Sequence, residues 1–128
     1  MGINPNNSEP IYVQIANWLE KEILKGTFKS DEKVLSQYAL ADMFNINPAT
    51  AAKGLTLLAQ NEIVYDRRGL GKFVSPDAYE KIIKKRQTDR LIPLIKQITE
   101  EAHQLALSED ELVERIKKAY QKVGRLNE

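Results

Sequence analysis

Residues 36–55, SQYALADMFNINPATAAKGL, contain two short helical patterns separated by a tight turn. The first helix begins near Ser36, and Asn45 tolerates the left-handed geometry that the turn requires. Asn47 then caps the next helix, whose first position is Pro48, where the missing amide hydrogen would have no partner anyway. Each helix has one apolar stripe for a core: Leu40, Ala41 and Phe44 on the first, and Ala51, Leu55 and Leu58 on the next.

The segments on either side extend this arrangement. Helical spacing over residues 8–25 predicts a preceding helix that opens with Ser8 as a capping candidate and ends at Gly26. A polar, turn-rich connection with one short strand links it to the quoted stretch. Residues 63–75 then read as a strand, a turn at residues 69–71 and a returning strand, which predicts a β-hairpin.

The pattern changes beyond Pro76, where long helical patterns replace strand signals. We therefore predict a mainly α fold with two parts. The first, over residues 1–76, holds three helices and the hairpin, and the second, over residues 77–128, is a two-helix region.

Local signals set the helix limits in the second part. Pro93 should kink or interrupt its first helix. Ser108 and Glu111 form a capping box that starts the last helix, and Gly124 should end it.

The composition narrows the classes of function. At 128 residues, of which 42% are hydrophobic, the chain supports one compact domain or a small domain with a short appendage. It has neither a run of about 18 apolar residues nor a basic and apolar leader, so we expect a cytoplasmic protein without a membrane partner. It has no cysteine and a single histidine, His103, which argues against a metal site and against a thiol nucleophile. We expect no metal and no cofactor.

Two phosphate-loop hypotheses for residues 67–74, RRGLGKFV, fail on spacing. A Walker loop requires a glycine and a hydroxyl residue where this chain has Asp66 and Phe73. A dinucleotide fingerprint requires glycines that follow a strand and open a helix, whereas this pair joins two strands. The paired carboxylates elsewhere lie on helical surfaces or first turns, where solvation and the helix dipole explain them. We predict that the protein is not an enzyme.

Positive charge gathers on the hairpin, although the net charge of the chain is only +1. Arg67, Arg68 and Lys72 surround its glycine turn, an arrangement that suits contact with phosphates or a minor groove. The alternative is an exposed hairpin whose charges only favour solubility.

The helix that Asn47 caps has a second candidate surface. Thr50 and Lys53 lie one turn apart, away from the core, and such a helix fits a major groove about 12 Å wide. Its N-terminus should also offer backbone amides to a phosphate. In the alternative reading, Thr50 only supports the helix cap.

Three segments, PIYVQIANWLEKEILKGTF, LSQYALADMFNINPATAAKGL and RRGLGKFV, resemble the winged helix-turn-helix domain of GntR-family bacterial transcription regulators. The resemblance covers about residues 10–75. The short helical region after it looks like the YtrA-like branch, whose members form dimers through a two-helix C-terminal region and often control transporter operons. The resemblance implies a homodimeric, sequence-specific repressor that binds double-stranded DNA at a palindromic operator. A protein-interaction module that docks through its C-terminal helices is the alternative.

The sequence departs from the family pattern at the start of the helix near Ser36. Leu35 replaces a common proline, and Tyr38 replaces an arginine. Tyrosine can bond a phosphate but lacks the charge and the bidentate fork of arginine. Lys72, where the family often has threonine, could restore part of that charge.

Two sets of candidate site residues follow. The DNA-binding set is Ser36, Tyr38, Asn47, Pro48, Ala49, Thr50, Lys53, Arg67, Arg68, Gly69, Gly71 and Lys72. The second set is proposed for dimerisation, because its apolar stripes are broader than two helices can bury against each other. It consists of Leu91, Leu94, Ile95, Ile98, Leu105, Leu112, Ile116, Tyr120 and Val123. Roughly 50 residues are too few to enclose a drug-sized pocket of about 300 Å³, so a small-molecule effector would bind between subunits.

Overall fold

The computed structural model describes residues 3–126, which form six α-helices and one two-stranded antiparallel sheet. In chain order the elements are α1 (Ile11–Lys25), α2 (Gln37–Phe44), α3 (Pro48–Gln60), β1 (Val64–Arg67), β2 (Gly71–Val74), α4 (Ala78–Arg86), a π-helical turn (Gln87–Leu91), α5 (Ile92–Gln104) and α6 (Glu109–Leu126). The predicted order of helix, helix, turn, helix and hairpin is confirmed. The chain divides into two compact units between Lys85 and Arg86.

The core of the first unit lies where α1 and α2 pack against α3. The predicted apolar stripes supply it, and Trp18 of α1 meets Phe44 of α2 edge to face with ring centroids 5.0 Å apart. The largest fully buried apolar side chains are Ile15, Leu19, Leu40, Leu58, Ile63, Val74 and Ile82.

The first unit also includes α4, which lies beyond the boundary predicted at Pro76. Ala78 and Ile82 are 1% and 0% exposed and belong to the same core. A partly buried ion pair holds α4 as well, because the carboxylate of Glu20, itself 1% exposed, lies 2.9 Å from the ammonium group of the half-buried Lys85. Local spacing does not reveal this pair, because its members are 65 residues apart.

Helix starts in the first unit follow the predicted caps in two cases out of three. The Ser36 hydroxyl accepts a hydrogen bond from the Ala39 amide, and the Asn47 side chain accepts one from the Ala49 amide at 2.8 Å. The prediction of Ser8 as a cap was wrong, because α1 begins one residue after Pro10 and has no side-chain cap.

Four helix ends share one geometry, in which a residue within two positions of the helix end has a positive φ. The residue with positive φ is the first after the helix at Gly26 (α1) and Asn45 (α2), and the second after it at Glu62 (α3) and Ala106 (α5). At three of these ends two backbone hydrogen bonds close the turn, as in the bond from the Leu107 amide to the Ala102 carbonyl. Only the first of the four uses glycine, which adopts this conformation without steric cost.

The hairpin pairs Val64 with Val74 and Arg67 with Gly71. Its turn closes through a bond of 2.8 Å from the Leu70 amide to the Arg67 carbonyl, so the turn is residues 68–70 and not residues 69–71. The predicted short strand before α2 is a single bridge from Lys33 to Phe73 at the free edge of β2.

The second unit, hereafter the tail (residues 86–126), has the interruption that Pro93 predicts. The π-helical turn directly precedes α5, where the Ile92 amide bonds the Gln87 carbonyl five residues back. The capping box is confirmed, since the Glu111 amide bonds the Ser108 hydroxyl at 3.1 Å. Hydrogen bonding from Ser108 lowers the pKa of Glu111. The prediction that α6 ends at Gly124 was wrong, because that glycine keeps helical geometry and the helix runs to Leu126.

Candidate nucleic-acid interface

The start of α3 presents side chains to solvent. Asn47, Pro48, Ala49 and Lys53 are exposed, and Thr50 is half-buried. The expected free amides are not there: the Ala49 amide bonds the Asn47 side chain, and the Thr50 amide bonds the Asn47 carbonyl at 3.0 Å. Because proline has no amide hydrogen, the first turn of α3 can contact a partner mainly through side chains.

One exposed face runs along the whole of α3. Ala49, Lys53, Thr56 and Gln60 follow one another at steps of four, three and four residues, and all are exposed. The ammonium group of Lys53 lies 5.0 Å from the centroid of the Tyr12 ring on α1. The sequence interpretation missed Thr56, although helical spacing from Lys53 would have found it.

The cations of the hairpin are held in different ways. Arg67 stacks over Phe73, with its guanidinium carbon 4.9 Å from the ring centroid. Lys72 is paired with the carboxylate of Asp66 at 2.7 Å, directly across the two strands. Lys72 therefore presents less net positive charge to a partner than an unpaired lysine would.

The tip of the hairpin is exposed and partly apolar. Arg68 and Gly69 are exposed, and Leu70 between the two strands has 57% of its surface exposed. Gly69 has φ +78°, a conformation that suits glycine. Leu70 was not among the predicted site residues, yet apolar side chains at such tips can enter a minor groove.

A surface cleft of about 270 Å³ lies between the start of α2 and strand β2. Tyr38, which is 67% exposed, shares its rim with Ser36 and Lys72. Lys33 lines the same cleft, and its Cε lies 3.0 Å from where a Cβ would stand on Gly71. Lys33 is a further cation that the sequence did not reveal, because its approach to Gly71 depends on tertiary structure.

The connection before α2 is fixed to the hairpin. The Tyr65 hydroxyl donates a hydrogen bond of 2.7 Å to the carboxylate of Asp31, and this bond raises the pKa of Tyr65. The Asp31 amide also bonds the Val74 carbonyl at 2.8 Å. These bonds position the cleft wall that carries Lys33.

The predicted dimerisation residues lie in the tail and are largely exposed. Leu91, Leu94, Ile95, Ile98, Leu105, Ile116, Tyr120 and Val123 are between 42% and 81% exposed. Leu112 is half-buried. An open apolar cleft of about 330 Å³ between α5 and α6 is lined by several of them, together with Ala102. His103 is exposed on α5.

Two other features are absent from residues 3–126. This part of the chain brings no three His, Cys, Asp or Glu side chains into a group that could hold a metal ion. Within the same residues, no helix has both the length and the apolar character needed to cross a bilayer.

Known proteins resemble this chain over most of its length, although it matches no protein-family model. The HTH-type transcriptional repressor YtrA of Bacillus subtilis (strain 168) is 31% identical over 115 residues, which are 90% of this chain and 88% of that relative. A solved GntR family transcriptional regulator from Listeria monocytogenes is 30% identical, with a TM-score of 0.65 over 88% of this chain and 97% of its own.

A third protein supports the fold alone. A structure from Bacteroides thetaiotaomicron, described as a transcriptional regulator of the GntR family, is 24% identical with a TM-score of 0.77, covering 93% of this chain and all of its own. The predicted fold, a winged helix-turn-helix followed by helices, is confirmed.

Proposed function

This chain belongs to the GntR family of transcription regulators and resembles its YtrA-like branch, and from that premise we propose that it is a cytoplasmic DNA-binding repressor that acts as a homodimer on a palindromic operator. The observation that carries the proposal is the exposed face of α3 in the same compact unit as the cation-bearing hairpin. Side chains on such a helix reach base edges, whereas cations on a hairpin contact phosphates and grooves.

In this proposal α3 enters the major groove. Thr50, Lys53 and Thr56 are then the side chains nearest the base edges, and Ala49 allows close approach because it is small. Arg67 and Arg68 contact phosphates or the adjacent minor groove, with Leu70 at the tip. Ser36 and Tyr38 bind a phosphate at the start of α2 beside Lys72 and Lys33.

The tail supplies the two-fold contact. Its exposed leucine and isoleucine side chains form more apolar surface than two helices can bury against each other. A second copy of the same surface buries the remainder. A two-fold dimer presents two α3 helices about 34 Å apart, one turn of DNA, and therefore favours a palindromic site.

The test is an affinity measurement on DNA. The full chain should bind a duplex from upstream of its own gene, or one that it selects from a random library, more tightly than a scrambled duplex. Thr50→Ala and Lys53→Ala should each weaken specific binding by about 1–3 kcal/mol if they contact bases. Lys21→Ala, at an exposed lysine of α1, is the matched control and should change affinity little. Unchanged affinity in both α3 variants would remove this helix from the interface.

A further inference from the structure

Three cations of the candidate interface contact a partner side chain, which is a carboxylate in one case and an aromatic ring in the other two. Lys72 is paired with a carboxylate at 2.7 Å, which offsets its charge. Lys53 lies over the neutral ring of Tyr12, at 5.0 Å from the centroid, and Arg67 lies over the ring of Phe73. An aromatic face attracts a cation through its quadrupole and carries no net charge. Lys53 is therefore held in place without being neutralised, and it remains exposed.

The position of the Tyr12 ring depends on a close approach of two helices. A Cβ on Gly54 would stand 3.0 Å from the Tyr12 carbonyl oxygen and 3.0 Å from Cγ2 of Ile15. Only glycine lets the first turn of α1 come this near to α3 without displacing one of them. Tyr12 is half-buried, whereas the lysine above its ring is exposed to solvent.

We propose that Tyr12 is a specificity-determining positioning residue, which holds the Lys53 ammonium group on the outward face of α3 for contact with a base edge. The proposal rests on the proposed function. A free lysine has a flexible four-carbon side chain and loses many rotamers when it binds in one geometry. A lysine already held on a ring loses fewer, so the contact favours the one geometry in which the correct base is reached.

Substitution of the ring should lower discrimination between DNA sequences and leave the charge of the interface unchanged. The readout is the ratio of two affinities of the full chain: for a duplex that the wild-type protein selects from a random library, and for a scrambled duplex of equal length. Tyr12→Leu should lower this ratio about twofold to fivefold, the range for an exposed cation–π contact. Affinity for the scrambled duplex and its salt dependence should stay unchanged, because Lys53 keeps its charge.

Three further variants isolate the contact. Tyr12→Phe keeps the ring and should keep the ratio. Tyr12→Met, an alternative helix-forming residue without a ring, replaces Tyr12→Leu if the leucine variant does not fold, as judged by its thermal unfolding. In a Lys53→Ala background, Tyr12→Leu should have no further effect on the ratio, because the tyrosine acts through the lysine.

Several results would overturn the inference. An equal loss on both duplexes, or a loss that persists in the Lys53→Ala background, would make Tyr12 a packing residue. A higher ratio in Tyr12→Leu would mean that the ring holds Lys53 away from the DNA. If Lys53→Ala lowers the ratio and Tyr12→Leu does not, the inference fails and the proposed function stands. If the wild-type protein selects no sequence, the proposed function itself fails.

Discussion

Tyr38 lies on the rim of the cleft between α2 and the hairpin, where the family pattern has an arginine. The residue is 67% exposed, and Lys72 and Asp66 line the same cleft. The hydroxyl group can donate one hydrogen bond to a phosphate, whereas a guanidinium would add charge and a second bond. The residue therefore sets the strength of one phosphate contact in the proposed complex.

We expect Tyr38→Arg to tighten binding to the operator by about 0.5–2 kcal/mol and to make it more dependent on salt. Titration of labelled duplex at several salt concentrations measures both effects. Tyr38→Phe is the control, since it removes only the hydroxyl group. Weaker binding by the arginine variant would show that tyrosine makes a contact of its own, or that Asp66 captures the new cation.

Gly54 sets the distance between α1 and α3. Gly54→Ala gains about 1 kcal/mol of helix propensity but places a Cβ 3.0 Å from a backbone oxygen that cannot move alone. Because overpacking costs about 1–3 kcal/mol, we expect a net loss of about 1 kcal/mol in the free energy of unfolding, measured with urea. Gly124→Ala in α6 has no neighbour within 4 Å and should be neutral or stabilising. Equal effects at the two positions would contradict the close approach.

At the scale of elements, the hairpin is a set of unequal cations. Arg67 keeps its charge over an aromatic ring, Arg68 is exposed at the turn, and Lys72 is offset by Asp66. In the sequence the three cations look equivalent, because residue types alone do not show which cation faces a carboxylate on the opposite strand. The pairing register decides it.

The hairpin variants should therefore differ in their salt dependence. Arg67→Gln and Arg68→Gln should each weaken binding to all DNA sequences and lower the slope of log affinity against log salt by about one. Lys72→Gln should change the slope less, because its charge is already partly offset. Equal slope changes in all three variants would mean that DNA separates Lys72 from Asp66, and no change would leave all three as solubilising charges.

Elements that depend on neighbours in sequence were predictable, and contacts between distant elements were not. The caps at Ser36 and Asn47, the hairpin and the capping box follow from residue types at short spacing. Three other features depend on packing between distant segments. They are the assignment of α4 to the first core, the approach of Lys33 to Gly71 and the position of the Tyr12 ring beneath Lys53. The missed amide bonds at the start of α3 are local instead, because the predictable cap of Asn47 itself satisfies the groups that we expected to be free.

At the scale of the whole molecule, the two units have separable roles in the proposed dimer. A chain that ends at Lys85 retains the whole first core, so it should fold, run as a monomer in light scattering and bind a full palindromic duplex far more weakly than the full chain. A chain that ends at Pro76 lacks Ala78 and Ile82 and should also be less stable. If the shorter chain is a dimer, or if the full chain is a monomer at micromolar concentration, the tail is not the dimerisation region.

The residues with positive φ at the helix ends limit how many destabilising substitutions the chain can tolerate. An L-residue in that conformation costs about 1–2 kcal/mol more than glycine does, against a total stability of about 5–15 kcal/mol for a typical domain. Glu62 forms an exposed ion pair with Lys81 at 3.1 Å, whereas the methyl group of Ala106 can form none. A glycine at position 106 would leave the candidate interface untouched and give the tail a margin of stability. Later substitutions elsewhere in the tail, which would otherwise unfold it, could then accumulate.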